Sequence, residues 1–267
     1  VQDDVDRALQ LGAALWGFWL RRGHLHEGRA QLERLLVLVP RDARPSPLWA
    51  HACTGAGTLA AEQGDYAAAR ERFFKSLELW QALGDRRRVG GALLNLGTLA
   101  RRQADYFAAR EFLERSLEIW SEVGSPQGTA TTLTNLGVLA LEQGDPAAAR
   151  PHLERSLTIK RGLGDKKGTA TTLVNLSDVA LDLGDLPEAR RSADEAVALC
   201  REVGDRRGLA EALEACACHA AATGDAESAR TLARDAATLR EEIGAPAPPA
   251  QVARLARFGL DRLELPG

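Results

Sequence analysis

The chain has 267 residues, of which 45% are hydrophobic and 27% charged, and its formal net charge is −3 at pH 7. These values are typical of a soluble folded protein, and they exclude the basic excess that marks nucleic-acid-binding or polybasic membrane-binding chains. No apolar run approaches the roughly 20 residues of a membrane span, and the acidic start, residues 1–4, is unlike a signal peptide.

Two further counts bear on cellular context. The four cysteines lack the regular spacing of a secreted disulfide scaffold, so we expect reduced thiols in a cytoplasmic protein. The chain contains no methionine, not even an initiator, which indicates a piece of a longer protein.

A glycine–aspartate pair recurs along the chain at a spacing of 40 residues, which predicts stacked structural repeats. Glycine tolerates the left-handed conformation that follows a helix, and aspartate caps the start of the next helix. The members are Gly64-Asp65, Gly144-Asp145, Gly184-Asp185 and Gly224-Asp225, with Ala104-Asp105 in the remaining position.

Each period holds two stretches of about 17 residues in which apolar residues recur three and four positions apart, as amphipathic helices require. In chain order, we predict helix pairs at 3–38, 45–83, 86–123, 126–163, 166–203 and 206–243. The first pair is irregular, because its turn at Gly23 lies off the register and prolines follow it. Pro151 predicts a local bend in its helix.

Three prolines, at 246, 248 and 249, interrupt the periodicity. We predict a last helix at 250–263 that caps the open core of the final pair. Its apolar stripe would consist of Val252, Leu255, Phe258 and Leu263.

The repeated motif resembles the tetratricopeptide repeat, most clearly at Gly64-Asp65-Tyr66 with Ala69 and at Asp105-Tyr106 with Ala109. The units are longer than the usual 34 residues. They are similar to the C-terminal arms of bacterial STAND signalling ATPases and of maltose-activator-like transcription regulators, where segments like 20–24 open the array and segments like 243–246 close it.

This resemblance implies an all-α fold: a right-handed α-solenoid of about six antiparallel helix pairs with a C-terminal capping helix, in one array over residues 1–267. It also implies that the first helix of each pair lines a concave face. An asparagine precedes a core leucine in three of these helices, at Asn95, Asn135 and Asn175. An amide donates and accepts at once, so the three could bind the backbone of an extended peptide; alternatively, they tie neighbouring helices together.

Helical spacing places further side chains on the same face. Together with the asparagines, we predict partner contacts from Thr98, Arg102, Thr131, Val138, Glu142, Thr171, Asp178, Asp182, Glu211 and Glu214. The face becomes more acidic toward the C-terminus, which predicts either a partner segment with basic residues or merely a solvated acidic surface.

Other candidate sites are weak. Cys216, Cys218 and His219 point in different directions on a helix, so they are poorly placed to share one metal ion. The segment 164–169 lacks the residue order of a phosphate loop. Trp80 and Trp120 share one position near the end of second helices, where packing is favoured over an exposed contact patch. Trp16, Trp19 and Trp49 would pack either against a missing N-terminal domain or within a less regular core.

We therefore expect a non-catalytic module without cofactor or metal, which binds a protein or peptide and neither nucleic acid nor membrane. The resemblance implies a sensor or regulatory arm of a larger bacterial signalling ATPase or transcription regulator, coupled to an N-terminal ATPase domain of the same chain. The alternative is a free-standing scaffold that mediates protein–protein assembly.

Overall fold

A computed structural model describes residues 2–40 and 43–260. Every regular element in these ranges is an α-helix, which confirms the predicted all-α fold. The chain divides into two compact units, Val1–Thr132 and Leu133–Gly267. No helix of the described ranges combines the length and apolarity of a membrane span.

Six helices and the start of a seventh form the first unit: α1 (Gln2–Arg22), α2 (Leu25–Val37), α3 (Pro47–Glu62), α4 (Tyr66–Ala82), α5 (Arg86–Arg102), α6 (Tyr106–Glu122) and α7 (Pro126–Glu142). The border between the units falls inside α7. The second unit continues with α8 (Pro146–Gly162), α9 (Lys166–Asp182), α10 (Leu186–Val203), α11 (Arg206–Ala222), α12 (Ala226–Glu242) and α13 (Pro249–Arg257).

The turns between helices confirm the predicted role of the Gly-Asp pairs. Gly84, for example, has φ +70°, and the Asp85 carboxylate accepts a hydrogen bond of 3.0 Å from the backbone N–H of Arg88. The same cap is formed by Asp65, Asp105, Asp145, Asp165, Asp185, Asp205 and Asp225. Ala104 is the exception to the glycine rule, since it takes φ +58° with a side chain. These turns set the start of each helix and thereby the register of its faces.

Large apolar side chains fill the core of the first unit. Trp19, Trp80 and Trp120 are 8%, 4% and 9% exposed, so these three indole rings are packing residues, as predicted for Trp80 and Trp120. Trp16 and Trp49 are half-buried and belong to the same hydrophobic cluster. Glycines of neighbouring helices make room for the rings, as Gly28 does for Trp19.

Smaller and more polar residues fill the core of the second unit. The position that holds Trp80 and Trp120 in the first unit is occupied by Lys160, Cys200 and Arg240, all of which are buried. The cysteines of the chain are free thiols, and burial raises the pKa of Cys200 to about 11. The second unit therefore carries buried charge where the first carries indole rings.

Two prolines and a glycine shape the C-terminal helices. Helix α8 runs continuously through Pro151. Helix α13 begins at Pro249 but ends at Arg257, earlier than the predicted 263, because the backbone reaches φ +69° at Gly259. Leu263 and the rest of the predicted helix end lie outside the described residues. Leu260 is buried, and with Leu255 and Phe258 it packs against small residues of α11 and α12.

Candidate functional site

The three predicted asparagines, which are all the asparagines of the chain, are half-buried on the first helices α5, α7 and α9. Asn135 interacts with another group of the protein. Within the described ranges, the side-chain amides of Asn95 and Asn175 have no hydrogen-bond partner. Asn95 in the first unit and Asn175 in the second thus present half-buried amides, without a partner among the described residues, at equivalent helical positions.

The predicted threonines direct their hydroxyls back to their own helices. Thr98 Oγ1 donates to the carbonyl of Leu94 at 2.9 Å, and Thr131 and Thr171 make the equivalent bond one turn back. Such bonds use the hydroxyl proton but leave oxygen lone pairs and the methyl group. These residues can therefore contribute contact area, while their hydroxyl protons are already used within the protein.

Arg102 of α5 is paired with a carboxylate of the preceding first helix. Its Nη1 lies 2.8 Å from Glu62 Oε1, and both side chains are 38% exposed. Glu62 and Arg102 occupy the same position in successive repeats, as do Glu142 and Asp182. Glu142 interacts within the protein, and Val138 is half-buried.

Asp178 and Asp182, one turn apart on α9, are paired with arginines of α13. Arg254 Nη2 donates to Asp182 Oδ2 at 2.9 Å, and Arg257 Nη2 donates to Asp182 Oδ1 at 3.2 Å. Arg254 Nε lies 3.3 Å from Asp178 Oδ2. The predicted acidic face at these two residues is therefore occupied by basic residues of the same chain.

Asp178 is the less well satisfied of the two acids. The residue is 8% exposed, and its Oδ1 has no hydrogen-bond partner within the described residues. Burial raises the pKa of Asp178 to about 6, although the nearby positive charge of Arg254 acts to lower it. The cost of burying this carboxylate thus exceeds the stabilisation that its arginine neighbour provides.

Glu214 does not lie on an accessible surface, contrary to its predicted place in a partner-binding face. It is 2% exposed, and Arg240 of α12 donates to both of its carboxylate oxygens. The other predicted acid of α11, Glu211, is half-buried and lies 3.5 Å from Arg207. The small side chains around α11 leave room for an arginine inside the core. The carboxylate of Glu214 therefore forms a buried ion pair instead of facing a partner.

A cavity of about 460 Å³ lies between α12 and α13. Its walls are mostly apolar and include Ala233, Ala237, Val252 and Leu255. Arg240 lies at its border with Glu214. The cavity shows that α13 does not pack tightly on α12.

The arginines that pair with the acids were missed by sequence reasoning. Arg254 and Arg257 are three residues apart on a predicted amphipathic helix, but their partners on α9 lie more than 70 positions earlier in the chain. Arg240 offered a stronger signal, since it replaces tryptophan in a position that packing had already marked as buried.

No group of three His, Cys, Asp or Glu side chains within the described ranges is arranged to hold a metal ion, and Cys218 and His219 are buried.

Sequence comparison matches tetratricopeptide repeat models to more than half of the chain. One model matches residues 88–162 and 168–242, and a second matches residues 50–73. Among curated proteins, none is significantly similar to this chain in sequence.

Three solved structures illustrate the similarity of fold. BtubC from P. vanneervenii is 18% identical, with 91% of this chain and 94% of that chain covered and a TM-score of 0.63. A Rap protein complexed with Competence and Sporulation Factor is 12% identical, with coverage of 95% and 80% and a TM-score of 0.68. A Signal Transduction ATPase with Numerous Domains from Pyrococcus horikoshii, which has a tetratricopeptide repeat sensor, is 15% identical with a TM-score of 0.70; the match covers 95% of this chain and 40% of that one.

Proposed function

Because the chain belongs to the tetratricopeptide repeat family, we propose that it binds a protein or peptide segment through the first helices of its pairs and catalyses no reaction. Repeat arrays of this kind are generally binding scaffolds that offer surface rather than an enclosed reaction site.

One observation carries the proposal: the free, half-buried amides of Asn95 and Asn175. A half-buried amide without a protein partner is hydrated, and a ligand that matches its donors and acceptor can take the place of that water. A side-chain amide can accept from a peptide N–H and donate to a peptide carbonyl at the same time. The alternative role, tying helices together, fits Asn135 better, since that residue already interacts within the protein.

A peptide-display experiment tests this proposal even though the natural partner is unidentified. Random peptides are selected on the purified chain, and the affinity of the enriched peptides is measured by fluorescence anisotropy. We expect Asn95→Ala or Asn175→Ala to weaken binding about tenfold, because a lost hydrogen bond to a buried group is worth about 1–3 kcal/mol.

The matched control removes an amide from a second helix. Gln31, on α2, is exposed, so Gln31→Ala should leave the affinity unchanged. Enriched peptides whose affinity is the same for both asparagine variants and for wild type would contradict the assignment of these amides to the binding surface.

The finer proposal is that the chain is the sensor or regulatory arm of a larger cytoplasmic signalling ATPase or transcription regulator. The fold similarity to an ATPase with a repeat sensor supports it. Ligand binding to such an arm changes the attached domain only if the two states of that domain give the arm different affinities. The full-length gene decides: a phosphate-loop motif encoded upstream of Val1 supports this role, and a gene without any nucleotide-binding domain rejects it.

The alternative is a free-standing scaffold for protein assembly. The similarity of fold to a Rap protein supports this alternative, because the match covers 80% of the Rap chain. A gene that encodes little beyond this repeat array would favour it.

A further inference from the structure

Helix α13 contacts the second unit through its two arginines, through the half-buried Leu255 and through the residues directly after it. None of its own residues is fully buried, and a cavity of about 460 Å³ is lined by residues of both α12 and α13. The segment 245–248, which joins it to α12, is not helical and contains two prolines. Arg254 and Arg257 of α13 pair with Asp178 and Asp182 of α9. Leu260, which follows the helix, is buried.

The repeat register explains why α13 supplies these arginines. In the first unit, Glu62 is neutralised by Arg102 at the same position of the next repeat. The position that follows Asp182 in the same register is Ala222, which has no charge to offer. The position that follows Asp178 is the buried Cys218, which carries no positive charge either. Short side chains on α11 thus leave the acids of α9 open to a cation from further away.

The fit of α13 to this site is incomplete. Asp182 receives hydrogen bonds on both oxygens, whereas Asp178 is left with one buried oxygen unpartnered. A carboxylate accepts two parallel bonds from one guanidinium when the geometry allows. Because Oδ1 of Asp178 has no partner in the described part of the chain, Arg254 does not form two parallel hydrogen bonds with this carboxylate.

We propose that Asp178 and Asp182 form a docking site for an arginine-bearing segment of a protein partner, and that α13 is its intramolecular competitor. We name the pairing of Arg254 and Arg257 with the two aspartates the C-terminal latch. This inference rests on the proposed peptide-binding function and identifies its partner chemistry and its regulation. A partner segment with two arginines about one helical turn apart would open the latch and satisfy both carboxylates.

The physical effect of the latch is a reduction of apparent affinity. A partner binds only the open fraction, so its apparent dissociation constant exceeds the intrinsic one by the inverse of that fraction. A competitor on a short connection has an effective concentration in the millimolar range. Opening the latch should therefore raise the apparent affinity on the order of tenfold or more.

The test uses the full chain and a labelled peptide with the sequence of residues 249–260, PAQVARLARFGL. We expect the double variant Arg254→Gln/Arg257→Gln to bind this peptide about tenfold more tightly than wild type, because its own helix no longer competes. Adding Asp182→Asn to the double variant should abolish the gain, and raising the salt concentration should weaken it. A peptide with glutamine in place of both arginines should not bind.

Matched charge removal elsewhere is the control. Arg230 and Arg234 are exposed on α12, so Arg230→Gln/Arg234→Gln should leave peptide binding at the wild-type level. Amide hydrogen exchange provides a second measurement that does not depend on the peptide. Asp182→Asn alone should speed exchange in α13 while α10 is unchanged. Equal peptide affinity for wild type and the double variant, or binding that survives Asp182→Asn, overturns the inference.

The two proposals fail in different ways. Display-selected peptides that depend on Asn95 and Asn175 but are indifferent to the latch variants would reject the latch and keep the binding function. Peptide 249–260 binding that depends on Asp182 while no selected peptide responds to the asparagines would keep the latch and reject the amide surface. If no peptide binds any variant, both are wrong.

Discussion

Arg240 and Glu214 form a two-pronged ion pair inside the second unit, with Nε to Oε1 at 2.5 Å and Nη2 to Oε2 at 2.9 Å. The side chains are 6% and 3% exposed. Removing only the arginine leaves a buried carboxylate without a counter-ion, so we expect Arg240→Leu to lower the free energy of unfolding by about 3–5 kcal/mol. The double variant Arg240→Met/Glu214→Leu should recover most of that loss. Urea unfolding measures both.

An exposed pair gives the control for this prediction. Arg206 and Glu242 are paired on the surface, with both side chains more than half exposed. Arg206→Gln should cost less than about 1 kcal/mol. If Arg240→Leu is as mild as Arg206→Gln, the core pair contributes nothing beyond a surface contact.

Lys160 predicts an unusual dependence of stability on pH. Its ammonium donates to Thr134 Oγ1 at 2.9 Å and to Thr172 Oγ1 at 2.8 Å, and burial lowers its pKa from 10.5 to about 8. Between these two values the unfolded chain binds more protons than the native state, so this group makes the protein more stable as pH rises. We expect wild type to gain up to about 3 kcal/mol over Lys160→Met across this window.

The comparison with Lys160→Met cancels the other groups that titrate at high pH. Lys167, whose side chain is 70% exposed, gives the exposed-lysine control through Lys167→Met. A constant difference between wild type and Lys160→Met from about pH 7.5 to about pH 10.5, monitored by chemical denaturation, would show that Lys160 keeps its ordinary pKa.

Ala104 predicts a stabilising substitution. It takes φ +58° where the equivalent turns of the other repeats have glycine, and a left-handed conformation costs an L-residue about 1–2 kcal/mol. We expect Ala104→Gly to raise the free energy of unfolding by about 1 kcal/mol. Ala198, exposed within α10, is the control, because Ala198→Gly should lower it by about 1 kcal/mol. Thermal unfolding in which both variants lose stability would contradict the prediction.

Gly128 predicts a steric effect at the start of α7. A methyl group added there would overlap the indole ring of Trp120, whereas one added at Gly91 would meet that ring only at 3.9 Å. We expect Gly128→Ala to be destabilising by about 1–3 kcal/mol, and Gly91→Ala to be neutral or stabilising, because alanine favours a helix. Denaturant midpoints of the two variants check this, and equal midpoints would mean that the ring moves aside without cost.

Local rules allowed much of the fold to be predicted. The turn at Gly84-Asp85 depends on a backbone angle and on a cap three residues away, both of which follow from residue type. Burial of Trp80 and Trp120 follows from their place on a helix face. The end of the last helix could not be predicted in this way, because a turn at Gly259 ends the helix although the apolar periodicity of the sequence continues.

The candidate site could be predicted only in part. Asn95 and Asn175 were identified because their position in the repeat is visible as a column in the sequence. Glu214 was predicted to lie on the partner-binding face, but it is buried. Its burial depends on Arg240, which reaches into the core from another helix. The pairing of Asp182 with Arg254 spans 72 positions, and no local pattern encodes it.

By itself, the sequence determined the helical repeat, its register and its turns, because those depend on periodicity and on interactions between residues a few positions apart. Only the tertiary structure decided which charges remain available. A carboxylate on a repeat face is equally consistent with solvent, a partner or an internal arginine, and the choice depends on side chains that distant helices bring within hydrogen-bond reach. For Asp182 and Glu214, those side chains belong to α13 and α12 of the same chain.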